Sequence, residues 1–265
     1  MRKAWWQPCV RGLENNMTGI YPMAALTLLI GAACAMAYLA TGSKDGRKYW
    51  PLLLLGLPLS FLVNRLVKGP LIQAVITSSG VSPSLNADSP VWFALFVLMT
   101  APFFEELVKL LPFVLPVARR HLAQPWSGLW AGLALGMSFG LGEAAYIAYG
   151  IAQAPQYQSM PSHLFTGYLF ERLMVVFLHG FLTAIAAAGL ALGWRRAIFN
   201  LLVAMGLHAL TNSGIVLNHL GWIPLAWVQA PLFLAILIAV LYFERLRRRE
   251  LAFIPSEDAS EKVYF

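Results

Sequence analysis

Two glutamates, Glu105 and Glu106, stand side by side in the stretch FFEELVKLLPF, with Lys109 one turn on, inside an apolar run over 91–118. Three further apolar runs carry comparable groups. Glu143 lies in SFGLGEAAY, Arg172 precedes His179 in a third run, and His208 is followed by Asn212 in a fourth. Carboxylates and imidazoles are the side chains that take up and return protons in hydrolytic chemistry. Ionisable groups are costly inside a bilayer, so each one there reads as functional by default. Glu105 and Lys109 are spaced i,i+4 and Glu106 and Lys109 i,i+3, so Lys109 can pair with either. Adjacent glutamates point about 100° apart on a helix, which lets one face a cavity while the other meets Lys109 or a neighbouring helix. Each group alone also has a purely structural reading. Glu105 and Lys109 would be an ion pair fixing register, the histidines interhelical hydrogen-bonding residues, Glu143 a neutral carboxyl, and Arg172 a snorkelling side chain or a partner of Glu171. Four runs that each place an acid or imidazole near mid-span favour a shared polar cavity over four unrelated accidents.

The elements that must hold these groups follow from composition. The 265 residues are 59% hydrophobic and only 12% charged, against roughly 25% charged in soluble domains. The fold class expected is all-α: a polytopic transmembrane helical bundle of about seven spans with a polar cavity at mid-bilayer depth. The expected spans are 20–40, 49–67, 91–118, 127–152, 167–193, 197–218 and 224–243, with a Ser-, Pro- and Asn-containing linker over 68–90 whose QAVITSSG piece could dip into the interface. Small residues such as Gly136, Gly140, Gly180 and Gly206 allow close helix approach. Residues 1–19 read as an N-terminal segment, 20–245 as the transmembrane domain and 246–265 as a polar cytoplasmic tail. The formal charge is +7, but the basic residues fall in short clusters between spans, KDGRK, ARRH, WRRA and ERLRRRE. That is the positive-inside pattern rather than a nucleic-acid footprint. It sets the C-terminus in the cytoplasm. Arg65 and Lys68 oppose this sidedness at the outer end of the second span, as do Arg2, Lys3 and Arg11, and a start at Met17 would remove the latter conflict. Cys9 and Cys34 support neither a disulfide framework nor a cysteine zinc site.

EELVK, Phe139-x-x-x-Glu143, Arg172 with His179, and His208-x-x-x-Asn212 together resemble the PrsW family of bacterial intramembrane proteases. The series is also similar to that of the CAAX prenyl proteases, in which the first motif ends in Arg and the second is Phe-x-x-x-His. Lys109 and Glu143 at those places favour PrsW. The resemblance implies an endopeptidase of the bacterial inner membrane that cuts a single-span, membrane-anchored protein such as an anti-sigma factor.

Peptide hydrolysis needs an activated water, an oxyanion stabiliser and a proton donor for the leaving amine. By its match to the first motif glutamate, Glu105 is the expected base, with Glu106 orienting it or held by Lys109. The resemblance gives His208 and Asn212 the oxyanion, while Glu143 and His179 complete the water-binding set and Lys109 and Arg172 support it. A zinc version is also open, with Glu143, His179 and His208 as ligands, although no HExxH pairing exists; the sequence leans to a metal-free site. The expected partners are membrane lipid and the substrate protein. A proton-coupled transporter or a non-catalytic scaffold are the rival classes, and the broken-helix repeats of a transporter are not evident.

Overall fold

The computed structural model describes residues 18–252 and contains seven helices long and apolar enough to cross a membrane. Among these residues there is no strand; a single bridge joins Thr18 to Pro161. The question of a start at Met17, Cys9 and the tail over 253–265 lie outside the described residues.

The first span is α1 (Tyr21–Gly42). The second departs from the expected 49–67. Helix α2 (Leu52–Val63) runs through a π-helical turn, Asn64–Lys68, into α3 (Gly69–Ser79), which Gly80 ends at φ 68°. Most of the presumed linker is therefore helix. Pro70 does not stop it, because it directly follows the π-turn, where the chain is already widened and Gly69 bonds back five residues to the Asn64 carbonyl. The third span is shorter than the apolar run. Helix α4 (Val91–Val108) ends at Lys109, and a 3-10 turn (Leu111–Val114) and a short helix (Pro116–Arg119) follow. Pro112 and Pro116 forbid one continuous helix over 91–118. The remaining spans are α5 (Pro125–Ala152), α6 (Thr166–Ala191), α7 (Trp194–His219) and α8 (Ala230–Ala252). Helix α8 runs on past position 246, where the tail was expected to begin, to Ala252.

Helices α5 and α6 form the buried centre, with Leu133, Met137, Leu178 and Leu182 packed between them and their neighbours. Their approach is set by glycine. A Cβ on Gly136 would lie 2.1 Å from the carbonyl oxygen of His179, and one on Gly140 would lie 2.7 Å from Cα of Val176. The α6 backbone at His179 thus rests directly on α5, which fixes that side chain's origin. Lipid supplies no hydrophobic drive between helices, so this backbone-to-backbone packing is where association free energy comes from. Leu54, Leu66, Leu202 and Leu241 point outward, as a lipid-facing belt does.

Candidate active site

All four ionisable motifs meet in the interior. Glu105 and Glu106 occupy the last turn of α4, and Lys109 caps it; all three are buried. The Lys109 ammonium donates to Glu106 Oε1 at 2.6 Å and to His179 Nδ1 at 3.0 Å, and lies 5.1 Å from the centre of the Phe139 ring. It is an internal counter-ion with a carboxylate, an imidazole and an aromatic face around it. Because an ammonium can only donate, Nδ1 of His179 accepts. Its Nε2–H then donates to Glu143 Oε2 at 3.0 Å. Arg172 reaches the same Glu143 oxygen at 3.4 Å and also pairs with its neighbour Glu171.

On the other side, Glu106 Oε1 accepts from His208 Nδ1 at 2.7 Å. This leaves Nε2 of His208 with its lone pair, 3.8 Å from Oε2 of Glu105. That distance is too long for a hydrogen bond. Oε2 of Glu105 and Oε2 of Glu106 are both buried without a hydrogen-bond partner, and the Glu105 atom is the one set against Nε2 of His208. The opposite oxygen, Oε1, pairs with Lys68 from the π-turn. The result is a chain of polar groups from His208 through Glu106, Lys109, His179, Glu143 and Arg172 to Glu171, with the Lys68–Glu105 pair set against its His208 end across the 3.8 Å gap. The two imidazole rings meet edge to face at 5.2 Å.

Asn212 lines the cleft beside His208 instead of joining this chain. The cleft opens between α6, α7 and α8, with Glu143, Arg172, His179, His208 and Gln229 on its walls. Asn212 also borders a second cleft, together with Lys68 and Val97. Lys68 is the group that sequence reasoning missed. Its signal was the conflict it made with the positive-inside rule: it is not a loop cation but the partner of Glu105.

A model of the PrsW family intramembrane metalloprotease matches residues 50–241, which take in every group of this network. The chain belongs to the PrsW family. No curated protein and no solved structure matches it. Membership makes this PrsW protein an intramembrane protease, in agreement with the sequence reading, and the description as a metalloprotease asks whether its residues fit a metal. Ligand atoms of Glu105, His179 and His208 all lie within 4.8 Å of one another. The carboxylate that closes with the two imidazoles is thus Glu105, whereas the sequence reading put Glu143 there; Glu143 instead hydrogen-bonds His179. Tetrahedral zinc with bonds of about 2.0–2.1 Å sets its ligand atoms about 3.3 Å apart. The unpartnered Glu105 Oε2 and His208 Nε2, at 3.8 Å, come close to that. His179 has both nitrogens engaged and joins such a set by giving up Glu143 or Lys109. The donor set of this PrsW site is compatible with a small dication once His179 releases one of those partners.

Proposed function

We propose that this PrsW protein hydrolyses a peptide bond of a single-span membrane protein presented at the cleft between α6, α7 and α8, with Glu105 as general base. The observation that carries this reading is Oε2 of Glu105, buried, unpartnered and 3.8 Å from the free Nε2 of His208. A water lying to one side of these two acceptors, at hydrogen-bond distance from each, can donate to both. Lys68 occupies Oε1, so the basic lone pair is the one that faces His208. In the reaction the water oxygen adds to the substrate carbonyl carbon as its proton passes to Glu105. The C–N bond then breaks and that proton goes to the leaving amine. Glu106 holds the His208 ring through Nδ1 and stabilises any positive charge the ring gains. Asn212 presents its amide N–H to the developing oxyanion. Arg172, held between two carboxylates, adds positive potential at the cleft.

The cleft faces the end of the bundle whose loops, 154–166 and 220–223, contain no Lys or Arg. By the positive-inside rule this is the outer side, with the C-terminus in the cytoplasm of a bacterial inner membrane. A membrane-anchored anti-sigma factor cut on its outer side is the substrate in keeping with the family resemblance.

A second reading rests on the three-residue donor set. Glu105, His179 and His208 would hold a metal ion, and Glu143, freed from His179, would be a carboxylate of the cleft wall available as base. A bound zinc ion supplies a water of lowered pKa and polarises the scissile carbonyl.

Cleavage of a single-span reporter by wild type and by Glu105→Gln tests the first claim: undiminished cleavage by the variant refutes it. Metal analysis and stringent chelation of the same purified protein separate the two readings. Full activity without metal eliminates the second; loss on chelation with recovery on zinc establishes it.

A further inference from the structure

The basic clusters WRRA and ERLRRRE have served so far only as a sign of sidedness. In the fold they converge. Arg196 at the start of α7 and Arg245 and Arg249 toward the end of α8 line one open cleft. Its floor is polar and built. Asn200, 2% exposed, donates through Nδ2 to the carbonyl of Ile185 on α6 at 2.8 Å, and its Oδ1 accepts from the Tyr242 hydroxyl at 3.1 Å. Helices α6, α7 and α8 are tied together at that point.

What separates this cleft from an ordinary basic loop is the fate of the individual arginines. Arg247 pairs with Glu244 at 2.7 Å, and Arg195 lies over the Trp194 ring at 5.3 Å. Among the described residues, the three arginines that face the cleft have no acidic partner. Three guanidiniums from two helices around one concavity sum to a positive potential that favours an anion among them. Guanidinium forks match phosphate oxygens bidentately. Below the arginines the wall turns apolar, with Phe199 and Leu246 lining the cleft and Leu202 and Leu241 continuing down the outward faces of the same two helices. A cationic rim over an apolar wall, at the end of two spans, has the polarity of a phospholipid and not that of a free ion. Basic pockets between spans on the cytoplasmic side are where acidic headgroups bind.

The geometry points to a binding site for an anionic phospholipid at this cleft, its phosphate held by Arg196, Arg245 and Arg249 and its acyl chains lying along Phe199 and Leu202. The site is separate from the proteolytic network and does not rest on the mechanism proposed above.

The test uses the full chain in detergent, with dioleoyl phosphatidylglycerol as the probe and native mass spectrometry and thermal melting as readouts. Retention of the lipid and a raised melting temperature are expected for wild type. Retention is expected to fall about tenfold or more in R196Q/R245Q/R249Q. A triple variant of equal charge loss elsewhere, R47Q/R119Q/R120Q, is expected to behave as wild type. If the first triple variant does not fold, R196Q and R249Q singly, both at exposed positions, carry the same comparison with smaller losses. Equal loss in the two triple variants, or equal retention of dioleoyl phosphatidylcholine, overturns the site. Inorganic phosphate at millimolar concentration is expected to give no melting shift; a shift as large as that from the lipid overturns the assignment to a lipid and leaves a simple anion site.

Discussion

Lys68 and Glu105, 37 residues apart and on different spans, are ion-paired inside the bundle through Oε1 of the carboxylate. This pairing decides which oxygen of Glu105 is left for chemistry. Removing one partner of a buried pair typically costs about 3–5 kcal/mol, since the other is left charged and unpartnered. Lys68→Gln is therefore expected to lower reporter cleavage at least about tenfold, and Lys68→Arg to retain more activity than Lys68→Gln. Cleavage rates normalised to the folded fraction check this, and wild-type rates in Lys68→Gln contradict it.

Glu105 and Glu106 are adjacent but differently bound, so their amide variants should fail differently. Glu105→Gln removes the base and is expected to reduce kcat by about 10²–10⁴, the usual worth of proton transfer, with KM little changed. Glu106→Gln leaves the base but unpins His208 and Lys109 together, whereas Glu105→Gln frees only Lys68. The expected mark of Glu106→Gln is therefore a larger fall in melting temperature than that of Glu105→Gln, in addition to lost activity. Equal melting behaviour in the two variants argues against this division of labour.

The contact between Gly136 and the His179 carbonyl has no room for a methyl group. Gly136→Ala is expected to separate α5 from α6, cost about 1–3 kcal/mol as overpacking does, and displace His179 from Lys109 and Glu143. Gly150, on the same helix, has nothing near its would-be Cβ, so Gly150→Ala is expected to be neutral or slightly stabilising. Melting temperatures of the pair check this, and a Gly136→Ala protein as stable as wild type sinks it.

Outside the spans, His121 has a pKa lowered by burial and then by the nearby Arg120 and Lys48 charges. Its Nδ1 meets Ser127 Oγ at 3.0 Å, and Ser127 also receives the Tyr49 hydroxyl at 3.2 Å. The folded chain therefore holds this ring neutral, while the unfolded chain protonates it near its ordinary value of about 6.5. The stabilisation is present above that value and is lost as pH falls toward the folded value. Melting temperature is expected to drop below about pH 6.5, and to drop less in His121→Gln. An identical slope in both proteins counts against the assignment.

Much of this was legible in the chain itself. Mid-span Glu105, Glu106, Lys109, Glu143, His179 and His208 stand out because each is expensive in lipid, and their convergence followed from similar depth. Three features were not legible, each for a physical reason. The π-turn at Asn64–Lys68 inserts an extra residue into the 3.6 period, so the second span looked finished at 67 and Lys68 looked like its flank. The helix end at Lys109 was masked by uninterrupted apolarity, although Pro112 and Pro116 announced it. Which carboxylate closes with the two histidines depends on how α4 and α5 are rotated about their axes, and spacing within one helix does not fix rotation between helices.

The position of Lys68 also bears on how the chain enters the bilayer. A charged residue at the centre of an inserting helix costs about 2.5–3.5 kcal/mol, and the third span carries Glu105 and Glu106 together. Their partner cations arrive at different times. Lys109 follows on the same segment and Lys68 has just preceded it, whereas His208 is still three spans from synthesis. The second and third spans can thus leave the translocon as a paired hairpin with both acids compensated, and the imidazole docks later onto a site that is already electrically settled.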